Sequence, residues 1–533
     1  MSPVRVMAVA RSDARARMRR PVLAFLLVAV PLLVYVAIPD PRTGRGILEI
    51  EKARALYTSP ALAFATAGLL PFLLALFGFY LVNGALENDR ITGMGLVAGS
   101  TPVSDAEYLL GKLLGNIGLL AAVTVGFMLS AMAMHVVRGE GPLQPLVYLA
   151  HYAVLAGPAI VSVAALALFF ECVPALAGRG GDVLYFFVFT LAIPLSVEPW
   201  RTPGGTGLSP GAFFDFSGLA FVMREVARSA GTTHFSLHLG SSEVTRATTT
   251  FPGLSFTLES LALRAASLTL PALLFGASLV AFLRFDPSRE RAKRSSPKQG
   301  PIAFLNSLAR PVTSRLLALA ERLGREGPAR APGFGRFLTA DATLTLRLQP
   351  LLVPTALAGA VLSFSLKTYG VMHVLLPILF ALLAAILSEV ATRDEAAGAS
   401  NVVFAAPLVR ARFALWKLAS ATVAAIVLTG PPAVRLAFSR PAAALSVLLG
   451  TLVAASLAIL LGLATGTPKT FLVLYLAFWY VVLNDSGHAP ALDFAGWYGL
   501  ATPGVQAAYL AALMLMAAAA WVVQAAKNRR LAG

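Results

Sequence analysis

The sequence predicts an all-α polytopic membrane protein: about twelve transmembrane helices arranged as two homologous six-helix halves. Three observations lead there. Of its 533 residues, 57% are hydrophobic and only 13% charged, against roughly 45–50% and about 25% in soluble domains. Apolar runs of about 20 residues, the length that crosses a bilayer, recur along the whole chain. A charged motif that follows the second run reappears after the eighth.

Taken in order, the first half offers spans near 21–39, 60–85, 110–137, 144–171, 183–198 and 258–284. The second offers 350–367, 371–389, 415–436, 441–465, 469–484 and 504–526. The stretch from Pro21 to Pro39 follows an arginine-rich start. It is too long for a signal-peptide core and lacks a small-residue cleavage site, so it reads as a retained first span. On the outer side, the segment 199–257 is the largest soluble piece. It opens as a Gly/Pro loop, "RTPGGTGLSPG", and continues as an amphipathic helix, "FFDFSGLAFVMREVARSA". Residues 285–334 form a basic linker, opening with the solvated run "DPSRERAKRSSPKQGP" and continuing into a basic helical stretch that suits an anionic leaflet. The expected domains are therefore 1–284, the linker 285–334, and 335–533.

Lys and Arg number 43 in all. With the N-terminus inside, they concentrate in the N-terminal arm, the linker and the tail (Lys527, Arg529, Arg530). The positive-inside rule then places both termini and the linker in the cytoplasm. The same rule accounts for the net charge of +17 without nucleic acid. The lone cysteine, Cys172, permits neither an internal disulfide nor a cysteine metal cluster. His234 and His238 are four apart, but Phe235 stands where a zincin needs glutamate, so no metal site is expected. His135, His151, His373 and His488 lie near outer span ends, as interfacial residues do.

The halves repeat. "ENDRITGMGLVAGSTPVSDAEYLLGKLL" (87–114) aligns without a gap on "TRDEAAGASNVVFAAPLVRARFALWKLA" (392–419). Asp89 falls on Asp394, Gly93 on Gly398, Pro102 on Pro407, Tyr108 on Phe413 and Lys112 on Lys417. Before each half's first span, "RSDARARMRRP" (11–21) and "LTADATLTLRLQP" (338–350) match Asp13 and Arg19 with Asp341 and Arg347. "VLYFFVF" (183–189) and "VLYLAFW" (473–479) open the two fifth spans. In the first loop, Ser104 and Glu107 have capping-box spacing for the helix that follows; the second copy lacks the box.

At these residues the chain resembles the ABC-2 family of ABC-transporter permeases, and the resemblance covers most of its length. It implies an ABC-2 exporter fold with both transmembrane domains fused in one chain, and substrate passing between the halves. It further implies pre-helices at about 4–19 and 335–349 along the inner membrane surface. The loops at about 87–101 and 392–406 would carry coupling helices that dock on two copies of a P-loop ATPase. Mapped onto this sequence, the coupling residues are Glu87, Asp89, Arg90, Gly93, Pro102 and Lys112, and Asp394, Glu395, Gly398, Pro407 and Lys417. The chain itself would be no enzyme and would bind no cofactor, ATP being held by the partner subunit. "LLGKLLGN" has the GK dipeptide of a P-loop but neither its Ser/Thr nor its preceding glycine. Alanine- and arginine-rich usage suggests a bacterial plasma membrane, and spans rich in small residues suit an amphiphilic cargo.

The competing reading is a twelve-span, ion-coupled secondary carrier, because "GALENDRITGMG" (84–95) approaches the G-x-L-x-D-R-x-G signature of such proteins. It lacks the following basic pair, and no acidic residue lies clearly mid-span. Ionisable groups near spans are functional candidates by default. Here they are Glu171 and Glu389 at inner helix ends and Arg264, expected to snorkel outward from span six. Pro71, Gly78, Pro158, Pro194, Pro271, Gly276, Gly450 and Gly462 are expected to kink or closely pack the spans.

Overall fold

In hydrocarbon every backbone N–H and C=O must bond within its own segment, so long apolar runs fold as helices. The computed structural model describes the chain apart from residues 19–20, 175, 198–214, 216, 233, 239–246, 286–310, 312–313, 316–333, 350–351, 400–402, 405–406, 486 and 531–533. It is mostly helical, as a multi-pass membrane protein requires. Two units form, Met1–Ser295 and Ser296–Gly533, dividing inside the expected linker. Most of that linker lies outside the described residues.

Unit 1 begins with α1 (Pro3–Met18) and α2 (Pro21–Ala37). Next, α3 (Ser59–Leu73) runs through a π-helical turn at Leu74–Gly78 into α4 (Phe79–Val82). Two short helices follow, α5 (Ala85–Ile91) and α6 (Met94–Ser100), then the long α7 (Asp105–Arg138) and α8 (Pro145–Cys172). The unit closes with α9 (Arg179–Val197), α10 (Leu219–Ala230), α11 (Leu258–Ala266) and α12 (Thr269–Ala281). Its core lies where α3 meets α8, with α1 and α2 packed on α7.

Unit 2 opens with α13 (Phe334–Leu348) and α14 (Leu352–Ser365). A single turn, α15 (Thr368–Gly370), leads through a π-helical turn at Val371–Leu375 into α16 (Leu376–Leu387). Then come α17 (Arg393–Ala396), α18 (Pro407–Ala437), α19 (Pro441–Thr465), α20 (Pro468–Asp485) and α21 (Pro503–Arg530). Here α18 is the hub, touching α13, α14, α16, α19 and α21.

Among the described residues, nine helical stretches are long and apolar enough to cross a membrane. The remaining three expected spans coincide with α9, α14 and α20; of these, α9 and α14 carry only shorter apolar runs, Gly180–Leu191 and Leu352–Ser365. Both expected pre-helices are helices, α1 and α13.

Among the described residues, the fold departs from all-α at one place. Strands β1 (Leu48–Ile50), β2 (Ala53–Ala55), β3 (Phe235–Leu237) and β4 (Thr248–Thr249) form a sheet ordered β3-β1-β2-β4. It joins the turn between the first two spans to the segment expected as loop and amphipathic helix, whose helix begins only at Leu219. "RTPGGTGLSPG" lies outside the described residues. The sheet is pinned to the α7–α8 turn: Arg54 donates two 2.8 Å bonds to the Glu140 carboxylate, which also accepts from the Tyr57 N–H at 2.8 Å. The bond from Arg54 holds the Glu140 carboxyl below the usual carboxylate range.

Arg264 does not snorkel. It is buried, and its guanidinium donates to the carbonyls of Val154 (3.1 Å), Leu155 (2.9 Å) and Asp215 (2.8 Å). Val154 lies one helical turn before Pro158, which has no N–H to offer it. Arg264 thus pairs the Val154 carbonyl that the proline orphans, and ties α8 to Asp215.

Candidate functional site: two repeated loops and their buried charge clusters

The residues singled out by the repeat converge. In unit 1, α1 supplies Asp13, the inter-span loop Asp89 and α7 Lys112. The Lys112 ammonium lies 3.0 Å from Asp13 and 2.7 Å from Asp89. In unit 2, Lys417 of α18 lies 3.0 Å from Asp341 of α13 and 2.6 Å from Asp394 of the loop. One ammonium therefore bridges a pre-helix carboxylate and a loop carboxylate in each unit. Asp13, Lys112, Asp341 and Lys417 are all buried. Ions so far from water persist only when paired.

Each cluster holds a second cation. Arg17 pairs with Asp13 at 2.6 Å, one turn away on α1, and donates to Asn116 of α7. In unit 2 the corresponding guanidinium is Arg393, which pairs with Asp341 and donates to Thr345 at 2.7 Å. Two carboxylates thus face two cations in each cluster. Both lysines face aromatic rings, Lys112 that of Tyr108 and Lys417 those of Phe413 and Trp416, and Tyr108 also donates its hydroxyl to Asp89.

The stretch "LLGKLLGN" has its own structural explanation. A Cβ on Gly111 would lie 2.6 Å from Val9 Cβ, and one on Gly115 would lie 2.7 Å from Asp13 Oδ2. The two glycines admit α1 against α7, which brings Asp13 to Lys112. In the loops, Gly93 and Gly398 share a left-handed backbone, with φ of +74° and +68°. Open space surrounds both positions, so the backbone conformation and not crowding calls for glycine.

The entry to the first loop is capped by Glu171 at the end of α8. Its carboxylate accepts from the backbone N–H groups of Gly84 (2.8 Å), Ala85 (3.1 Å), Leu86 (2.6 Å) and Glu87 (3.3 Å). A carboxylate at a helix N-terminus meets both orphan donors and the positive end of the dipole. The capping box at Ser104 is formed in full: Glu107 N–H donates to Ser104 Oγ at 3.2 Å, and Ser104 N–H to Glu107 Oε2 at 3.0 Å. Glu107 Oε1 also accepts from Ser2, and the Pro102 carbonyl from Arg5, tying α1 to the far end of the loop.

The coupling residues expected from the sequence divide into two sets. Asp89, Lys112, Asp394 and Lys417 belong to the buried clusters. Glu87 and Glu395 are exposed, Glu87 pairing with Arg90 at 2.6 Å and Glu395 facing Lys527 at 3.7 Å. Pro407 opens α18. The outer surface of the first loop is apolar: Ile91, Met94, Leu96 and Val97 are each more than half exposed. Sequence reasoning missed Arg17 and Arg393 as cluster members. Arg17 lies one helical turn from Asp13, a spacing that could have flagged it. Arg19, matched to Arg347 in the sequence, lies outside the described residues.

The fifth-span repeat is also structural. Tyr185 donates its hydroxyl to the carbonyl of Ala75 at 2.6 Å, and Tyr475 to that of Phe380 at 3.0 Å. Ala75 and Phe380 correspond in the same register that sets Asp89 on Asp394. The three pairs of matched segments therefore make matched contacts. Among the described residues no group of three or more His, Cys, Asp or Glu is placed to hold a metal ion. No protein-family profile, curated protein or solved structure matches this chain.

Proposed function

We propose that the chain is the permease subunit of an ATP-binding-cassette exporter of the ABC-2 kind. It comprises two six-span halves in a bacterial plasma membrane, with its termini and linker in the cytoplasm. Two copies of a separate P-loop ATPase dock on the loops between each half's second and third spans, and ATP binding and hydrolysis there drive an amphiphilic substrate outward. The observation that supports this best is the duplicated cluster. Each loop carries near its start a carboxylate joined through one buried lysine to a pre-helix carboxylate. A displacement of the loop is thereby passed to the span that carries the lysine and to the pre-helix together. Such coupling requires ATP and substrate each to favour one of two global states.

The partner-facing surface is the apolar side of the first loop. Four large apolar side chains exposed on a short helical loop suit burial against a protein groove. Asp89 acts behind that surface, and Asp394 within the second loop, each bound to its own lysine.

The test is a photocrosslinking residue placed at Met94 or Leu96 in native membranes, with a control at Leu129, an exposed apolar position on α7. The loop positions should capture a P-loop ATPase and the control should not. Labelling of no ATPase from either loop position would sink the proposal. Transport driven by a proton gradient alone would favour the secondary carrier.

A further inference from the structure

The two loops share the lysine bridge but not their second attachment. In unit 1 the second cation, Arg17, belongs to the pre-helix; it bonds to Asp13 on its own helix and to Asn116 on α7, and so does not reach the loop. The loop is instead held by Glu171, whose four backbone bonds fasten residues 84–87 to the end of α8. In unit 2 the second cation, Arg393, belongs to the loop itself. It reaches Asp341 and Thr345, both on the pre-helix α13. At the positions matching the Glu171 cap, the N–H groups of Val390 and Thr392 bond to backbone carbonyls.

The exchange is reciprocal in sequence. The residue in register with Arg17 is Thr345, which accepts from Arg393; the residue in register with Arg393 is Asn88. Each cluster keeps two carboxylates and two cations, while one guanidinium has moved from pre-helix to loop. From this we infer that the loops are latched to different elements. The first moves as one body with α8 through Glu171, and the second with its pre-helix α13 through Arg393. Beyond the lysine bridge that both halves share, the start of each loop then passes a push to a different further attachment, span four in one half and a second pre-helix contact in the other. Glu171, Arg17 and Arg393 are positioning residues in this scheme. It concerns the same loops as the proposed ATPase docking, but its test needs no ATPase, so either proposal can fail alone.

Hydrogen–deuterium exchange on the full-length protein in lipid nanodiscs tests it. Glu171→Gln should raise exchange in residues 84–100 about tenfold, the factor for losing about 1.4 kcal/mol of charged hydrogen bonding, and leave 390–399 unchanged. Arg393→Gln should raise exchange in 390–399 and α13 and leave 84–100 unchanged. The transplant supplies a rescue: Arg17→Thr should destabilise unit 1, and adding Asn88→Arg should restore its stability. In the same double variant, the first loop should become protected together with α1. The wild-type protein gives a reading independent of any variant. As denaturant rises, loop 1 should open together with the end of α8, and loop 2 together with α13. Equal loosening of both loops by either single variant, failure of Asn88→Arg to rescue, or the reverse pairing in the wild type would each overturn the inference.

Discussion

A buried lysine between two aspartates is the residue-scale unit of this molecule, and its value is specificity of placement more than net stability. Replacing a buried ion pair wholesale is often neutral, but removing one partner strands the other at about 3–5 kcal/mol. Lys417 is fully buried and serves Asp341 and Asp394 together. Lys417→Met should therefore destabilise the protein by about 3–5 kcal/mol in denaturant titrations in detergent. A change below 1 kcal/mol would mean the aspartates find other partners. Outside the spans, Glu140 makes a pH-dependent contribution. Its carboxyl is held below the usual range, chiefly by the hydrogen bond from Arg54. A depressed carboxylate stabilises the fold above its unfolded value, about 4.3, and that stabilisation is lost as pH falls through the folded value. The gap in Tm between wild type and Glu140→Gln should thus be full at pH 7 and close under acid conditions.

Among the elements, what was legible in the sequence depended on how local the signal was. Apolar runs announced helices because each run carries its own hydrogen bonds. The Ser104 capping box was readable because it spans only three residues. The β1–β2 hairpin was not readable. Its two-residue turn is Glu51-Lys52, both at positive φ (50° and 65°), where Asn-Gly or Asp-Gly would have signalled it. The charge clusters were half legible. Asp13, Asp89 and Lys112 recur in register with Asp341, Asp394 and Lys417, yet nothing in one dimension says that the three meet. The Arg17–Arg393 exchange was invisible, because residues that trade places across a repeat leave no aligned identity. Gly93 and Gly398 are a case where alignment and backbone agree. Alanine at either should destabilise its loop by about 1–2 kcal/mol, while asparagine, which tolerates that conformation, should be milder. Equal effects of Ala and Asn in denaturant titrations would point to lost space instead of backbone strain.

At the scale of the whole molecule, the repeat recurs in the contacts inside each unit, while the sheet, the Glu171 cap and the Ser104 capping box stand outside it. Matched segments form matched contacts three times over: α1 or α13 to lysine, loop to lysine, and the tyrosine of α9 or α20 to the carbonyl of Ala75 or Phe380. The sheet and its Arg54–Glu140 anchor belong to unit 1 alone among the described residues. That surplus, together with the inferred difference in latching, marks two units that share a frame and differ in their attachments. The proposed coupling to an outside motor turns on one measurement: purification of the intact chain from native membranes in mild detergent, with its bound proteins identified and counted. A P-loop ATPase should co-purify at two copies per chain, and the copy on the first loop should be lost when Met94 and Leu96 are both changed to arginine. Recovery of the folded chain with no ATPase, in a form that transports on a proton gradient, would contradict it.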